Sequence, residues 1–169
     1  MSADADALAA ELARAFRTRV VEECLPRIGR CLDLLDERQI WHRPAPHCNA
    51  IGNLVLHLAG NVRQWIVSGI GGAPDERDRA AEFHADGADA PRKDELFARL
   101  AASVHAAEQV VARLDPGALL AVYPFQQGRF PDKGIAGVVH VIEHFSGHAY
   151  QIYDRTKQLT GRDLRFYDL

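Results

Sequence analysis

Three histidines follow one another at four-residue intervals in His140-Val-Ile-Glu-His144-Phe-Ser-Gly-His148, and a fourth, His57, lies far upstream in Asn53-Leu-Val-Leu-His57-Leu-Ala-Gly-Asn61. On a helix, side chains four residues apart share one side and sit about 6 Å apart along the axis. At that spacing two imidazoles can bind one metal ion, and a third from a facing helix completes a three-nitrogen site. Three neutral imidazoles leave the ion an open position, as catalytic sites do and closed structural sites do not. An open divalent position draws the pKa of a bound water or thiol towards neutrality and so produces a nucleophile. An all-nitrogen set suits zinc, nickel, iron or copper, and ligand type alone does not choose among them.

These histidines must be positioned by helices, and four helical segments are expected. The first runs from about Ala5 to Glu37, with Leu8, Leu12, Phe16, Val20, Ile28, Leu32 and Leu35 at three- and four-residue spacing. Pro26 removes a backbone donor, so a kink or break is expected near residues 22 to 26. The second opens near Asn49 or Ala50, with Asn49 a plausible N-cap, and runs to about Ser68 on a stripe of Ile51, Leu54, Val55, Leu58, Val62, Trp65 and Ile66. The third spans roughly Lys93 to Leu114, and the fourth runs from near Asp132 to Thr160, where Gly161 stops it. Between them, Asp75-Glu-Arg-Asp-Arg79 and Glu82 read as a solvated, mobile loop, and residues 118 to 131 as a turn-rich stretch with a short extended excursion. Strand-like alternation is nearly absent, so the fold expected is all-α, a four-helix bundle in one domain over residues 1–169.

Helical rotation narrows the histidine set. Each residue turns the helix by about 100°. With Leu58 at the centre of the buried stripe, His57 falls about 100° to one side and Asn61 about 60° to the same side. With Phe145 at the centre, His148 falls about 60° away, His144 about 100° and His140 about 140°. His140 therefore turns towards solvent, and it is about 12 Å along the axis from His148, too far to share an ion with it. The favoured trio is His57, His144 and His148, with His140 and His144 as the alternative pair. A single core-edge histidine such as His57 is usually just hydrogen-bonded; its conjunction with a His-x-x-x-His pair is what favours metal.

No Glu follows His57 or His144 directly, so the His-Glu-x-x-His pattern of metalloproteases is missing. Glu143 points about 160° from the stripe centre and makes a poor general base. Asn61, Gln151 and Arg155 lie on the ligands' flank and could orient substrate or the ligands themselves, against the plainer reading of a polar rim. His42, His47, His84 and His105 gain no role. Cys24, Cys31 and Cys48 form no metal-knuckle pair and read as small buried side chains.

Composition sets the outer limits. The chain has 169 residues, 47% hydrophobic and 25% charged, with a formal charge of −3, which gives no general affinity for nucleic acid. No stretch approaches the ~20 apolar residues of a membrane span, and the acidic N-terminus lacks a signal-peptide layout, so a cytoplasmic protein is expected.

Gly52-Asn-Leu-Val-Leu-His57-Leu-Ala-Gly-Asn61 together with His144-x-x-x-His148-x-x-Gln151-Ile152 resembles the DinB/YfiT-like metalloenzyme superfamily, and within it a DUF1572-like branch. The resemblance covers nearly the whole chain, including the Trp41-x-x-Pro44 loop and the Gly-Gly-Ala-Pro-Asp75 loop with its Arg-Asp-Arg79 continuation. It implies a four-helix bundle with a divalent ion, zinc or nickel foremost, on His57, His144 and His148. It also implies a frequent homodimer, and a low-molecular-weight thiol such as bacillithiol or mycothiol acting on a small-molecule substrate. A thiol S-transferase is the first activity expected. A metal-dependent hydrolase and a non-catalytic metal-binding bundle are the alternatives. Tyr150 stands where the family often has Gly, which bears on packing or an interface more than on the metal.

Overall fold

The computed structural model describes residues 2–87 and 90–166, and the chain is mostly helical. Helix α1 (Ala3–Phe16) opens on Ser2, whose side chain accepts from the Ala5 amide. It passes without interruption into a π-helical stretch, Arg17–Cys24, and then into α2 (Leu25–Asp33). Of the kink or break expected near residues 22 to 26, a break does not occur. Pro26 lies in the first turn of α2, and the preceding backbone has widened to five-residue bonding, with the Leu25 amide donating to the Val20 carbonyl. The missing proline donor is thus absorbed where helical hydrogen bonding is already rearranged.

A short α3 (Glu37–Ile40) is held by a reciprocal cap, Asp36 accepting from the Gln39 amide and Gln39 from the Asp36 amide. Helix α4 (Ile51–Val62) continues as a second π-helical stretch, Arg63–Ile70. Its N-cap position is Ala50 and not Asn49, because Asn53 reaches back with its Oδ1 to accept from the Ala50 amide. Next come α5 (Arg79–His84), α6 (Lys93–Val111) and α7 (Pro116–Leu120). The turn-rich stretch forms a small antiparallel hairpin, β1 (Val122–Pro124) and β2 (Phe130–Lys133), with Val122 opposite Lys133 and Pro124 opposite Pro131. Its tip is a tight turn, α8 (Phe125–Gly128), with Gln126 and Gln127 at positive φ. Pairing of β2 delays α9 (Gly134–Thr160) by two residues relative to the expected start, and Gly161 ends it at φ 65°, a left-handed value that glycine tolerates.

The long segments contact one another in a ring. α4 packs on α6 and α9, α9 also packs on α2 and the first π-helical stretch, and α2 packs on α6. Phe16, Ile28, Leu58, Leu100, Phe145 and Ile152 are fully buried between them. All seven residues of the stripe that runs through α4 into the second π-helical stretch are buried, as the periodicity predicts. Leu8 departs from its stripe and is 73% exposed. Among the described residues no helix is long and apolar enough to cross a membrane.

Candidate metal centre

Stripe geometry brings His57 on α4 to face His144 and His148 on α9, because Leu58 and Phe145 are buried against the same core and carry their neighbours with them. His57 Nε2 lies 3.1 Å from His144 Nε2. The His57 ring centroid is 4.9 Å from that of His144 and 5.1 Å from that of His148. One ring nitrogen from each of the three falls within 4.8 Å of the other two. Ligand nitrogens of a tetrahedral ion at about 2.0–2.1 Å sit about 3.3 Å apart, so the His57–His144 pair is already at that spacing and His148 would close by up to about 1.5 Å to join it. The residues present therefore could hold a divalent ion.

The surroundings favour neutral, ligating imidazoles. Burial first, then repulsion from His148, His57, His140 and Arg77, pushes His144 down to about 3. Burial likewise lowers His148, opposed by its hydrogen bond to Gln151. His148 Nδ1 lies 3.1 Å from Gln151 Oε1, so a proton on Nδ1 is donated to the amide oxygen and Nε2 stays bare. His144 Nδ1 is buried with no hydrogen-bond partner among the described residues.

The other flank residues are divided. Gln151 reaches a trio member, its Oε1 lying 3.1 Å from His148 Nδ1. Asn61 is buried but pairs with His140, its Nδ2 lying 3.3 Å from His140 Nε2. Arg155 makes no hydrogen bond to the trio, and its Nη1 is buried without a partner among the described residues. His140 does not turn out to solvent. It is half-buried because the indole of Trp65, 4.0 Å away centroid to centroid, covers it along with Asn61. An open cleft of about 380 Å³ runs along α9 between His140, Glu143, His144, Gly147, His148 and Gln151. Glu143, expected to point away from the core, does so and lines this cleft.

The largest departure from expectation is the charged segment read as a mobile loop. Asp75 accepts from the Arg77 amide and from Gln64 Nε2, and Asp78 caps α5 by accepting from the Ala81 amide. These contacts bring Arg77 and Glu82 inwards, with side chains only 6% and 9% exposed. Arg77 Nε and Nη2 donate to the two Glu82 oxygens at 2.7 and 2.8 Å, and Arg77 Nη1 donates to Gln64 Oε1 at 2.9 Å. Glu82 Oε2 is 2.9 Å from His57 Nδ1. Burial works to raise the Glu82 carboxyl, but the hydrogen bonds from Arg77 and His57 outweigh it and hold the group below its ordinary value. Phe83 packs on the His57 ring at 4.8 Å, and the Arg79 guanidinium covers Phe83. A charge run alone gives no sign of this burial. The available signal was Gly60, an isolated glycine inside a helical pattern, which marks close approach by another group. A Cβ there would overlap Glu82 Oε1 and come within 2.9 Å of Arg77 Nε.

Comparison with protein families finds a match over residues 18–153 to the family described as mycothiol-S-transferase, a span that includes His57, His144 and His148. A comparison with curated proteins finds no match.

Proposed function

We propose, from the premise that the chain belongs to the mycothiol-S-transferase family of the DinB/YfiT-like superfamily, that it is a metal-dependent thiol S-transferase with its ion on His57, His144 and His148. The observation that carries this reading is the convergence of three imidazole nitrogens within 4.8 Å, two of them from histidines, His144 and His148, that line an open cleft. We take the fold to be a four-helix bundle in one domain, and the ion to be zinc or nickel. When bound, the ion supplies Lewis acidity that keeps a low-molecular-weight thiol, mycothiol by the family's description, as thiolate near neutral pH.

The chain's own residues do the rest. Gln151 fixes the His148 ring by accepting from Nδ1. The thiol proton leaves to water in the open cleft. The thiolate sulfur then bonds to an electrophilic carbon of a second small molecule, whose leaving group departs with its electron pair. The test is metal analysis of protein purified without an affinity tag, followed by thiol-conjugation assays on protein loaded with zinc or nickel. About one ion per chain and metal-dependent conjugation are expected. Protein that arrives metal-free and cannot be loaded contradicts the proposal.

A further inference from the structure

His57 can serve an ion through Nε2 only if its proton sits on Nδ1. Two groups compete for that nitrogen. Glu82 Oε2, an acceptor, is 2.9 Å away, and Arg77 Nη2, a donor, is 3.0 Å away. If Nδ1 accepted from Arg77, the His57 proton would lie on Nε2 and point at His144, blocking the site. The Glu82 carboxylate only accepts, and N–H donation to a carboxylate is the stronger, charge-assisted bond.

We infer that Glu82, aimed by Arg77, is the positioning residue that fixes the Nδ1–H tautomer of His57 and so presents Nε2 as a bare lone pair to an ion. The inference rests on the three-histidine reading of the site. It also accounts for the pair of nitrogens 3.1 Å apart, since without an ion His144 Nε2 donates to the bare His57 Nε2. His144 Nδ1 is then a bare acceptor, and leaving it unpartnered strands no buried N–H.

The backbone is built to hold Glu82 in place. Asn53, fully buried, donates from Nδ2 to the carbonyls of Glu82 and Ala85 at 3.0 and 2.9 Å. Arg43 Nη2 donates to the Phe83 carbonyl at 2.7 Å. Gly60 leaves the space into which the carboxylate fits. An amide in place of the carboxylate must set its NH2 against either Arg77 Nε or the Arg77 and His57 pair, so Glu82→Gln always leaves one donor facing another or forces the wrong tautomer.

The test uses nitrogen-15 NMR of the metal-free protein near neutral pH, with His57 assigned by its loss in His57→Gln, and zinc affinity from competition with a chromophoric chelator. The expected results are a proton on His57 Nδ1 in the wild type and its displacement in Glu82→Gln. Zinc affinity should fall about 10–100-fold, the usual cost of losing a partner behind a metal ligand. Gly60→Ala, which removes no polar group, should weaken zinc in the same direction. A wild-type His57 protonated on Nε2, or a Glu82→Gln protein with unchanged tautomer and unchanged zinc affinity, overturns the inference. Failure of the wild type to take up zinc overturns the metal reading itself, while the tautomer still decides the role of Glu82.

Discussion

Replacing Gly60 by alanine should destabilise the protein, against the ordinary rule for helices. Gly60 lies inside α4, where Gly→Ala normally stabilises by about 1 kcal/mol. Here the new methyl would overlap Glu82 Oε1 and come within 2.9 Å of Glu82 Cδ. Ordinary van der Waals separation requires the carboxylate to retreat by about 1 Å. Bonds of 2.7 Å to Arg77 Nε and 2.9 Å to His57 Nδ1 would then stretch beyond hydrogen-bonding range. Hydrogen bonds to charged groups are worth about 1.5–3 kcal/mol each. Losing two, less the gain in helix propensity, leaves a net cost of about 2–5 kcal/mol. At 2–4 °C per kcal/mol for a chain of this size, the melting temperature should drop by about 4–20 °C. Urea denaturation and a thermal scan of metal-free protein measure this. A Gly60→Ala protein as stable as the wild type, or more so, would show that the Arg77–Glu82–His57 contacts do not hold the α5 segment against α4.

Gly147 supplies the opposite case: nothing lies within 4 Å of its would-be Cβ on α9, so Gly147→Ala should raise stability by about 0.5–1 kcal/mol in the same denaturation assay. The metal-free protein should also lose stability in acid. His144 is held at about 3, below its ordinary 6.5, so between those values the unfolded chain binds more protons than the folded one. The stabilising contribution is therefore complete above pH 6.5 and fades as pH falls towards 3; His148 and His140 shift the same way. Melting temperature against pH should slope down into acid, and His144→Gln should flatten that slope; equal slopes would count against the buried, neutral imidazole. Finally, His140→Ala should leave zinc stoichiometry intact while His148→Ala lowers zinc affinity, measured by chelator competition. A His140→Ala protein that cannot bind zinc would move the site one turn along α9.

The trio was legible in the sequence because helical rotation is rigid. Once Leu58 and Phe145 define the buried directions, the positions of His57, His144 and His148 follow to within a side chain's reach. The α4 stripe and the Gly161 stop were readable for the same reason. What the pattern could not supply was the far wall of the site. Arg77 and Glu82 lie on a segment with a single six-residue helix, too short to show a period, and their charges suggested solvent. They are buried only because they neutralise each other and because Asn53, Arg43 and Gly60 receive them from other parts of the chain. His140 was misplaced for a related reason. The Trp65 indole lies over it, and single-helix geometry does not see a neighbour's side chain.

Anomalous diffraction from crystals of the zinc-loaded protein would locate the ion itself. One peak is expected between α4 and α9, about 2.0–2.1 Å from His57 Nε2, His144 Nε2 and a ring nitrogen of His148, with Glu82 still on His57 Nδ1. No peak there, with His57 and His144 still hydrogen-bonded to each other, would contradict the three-histidine reading. So would a peak held by His140 in place of His148.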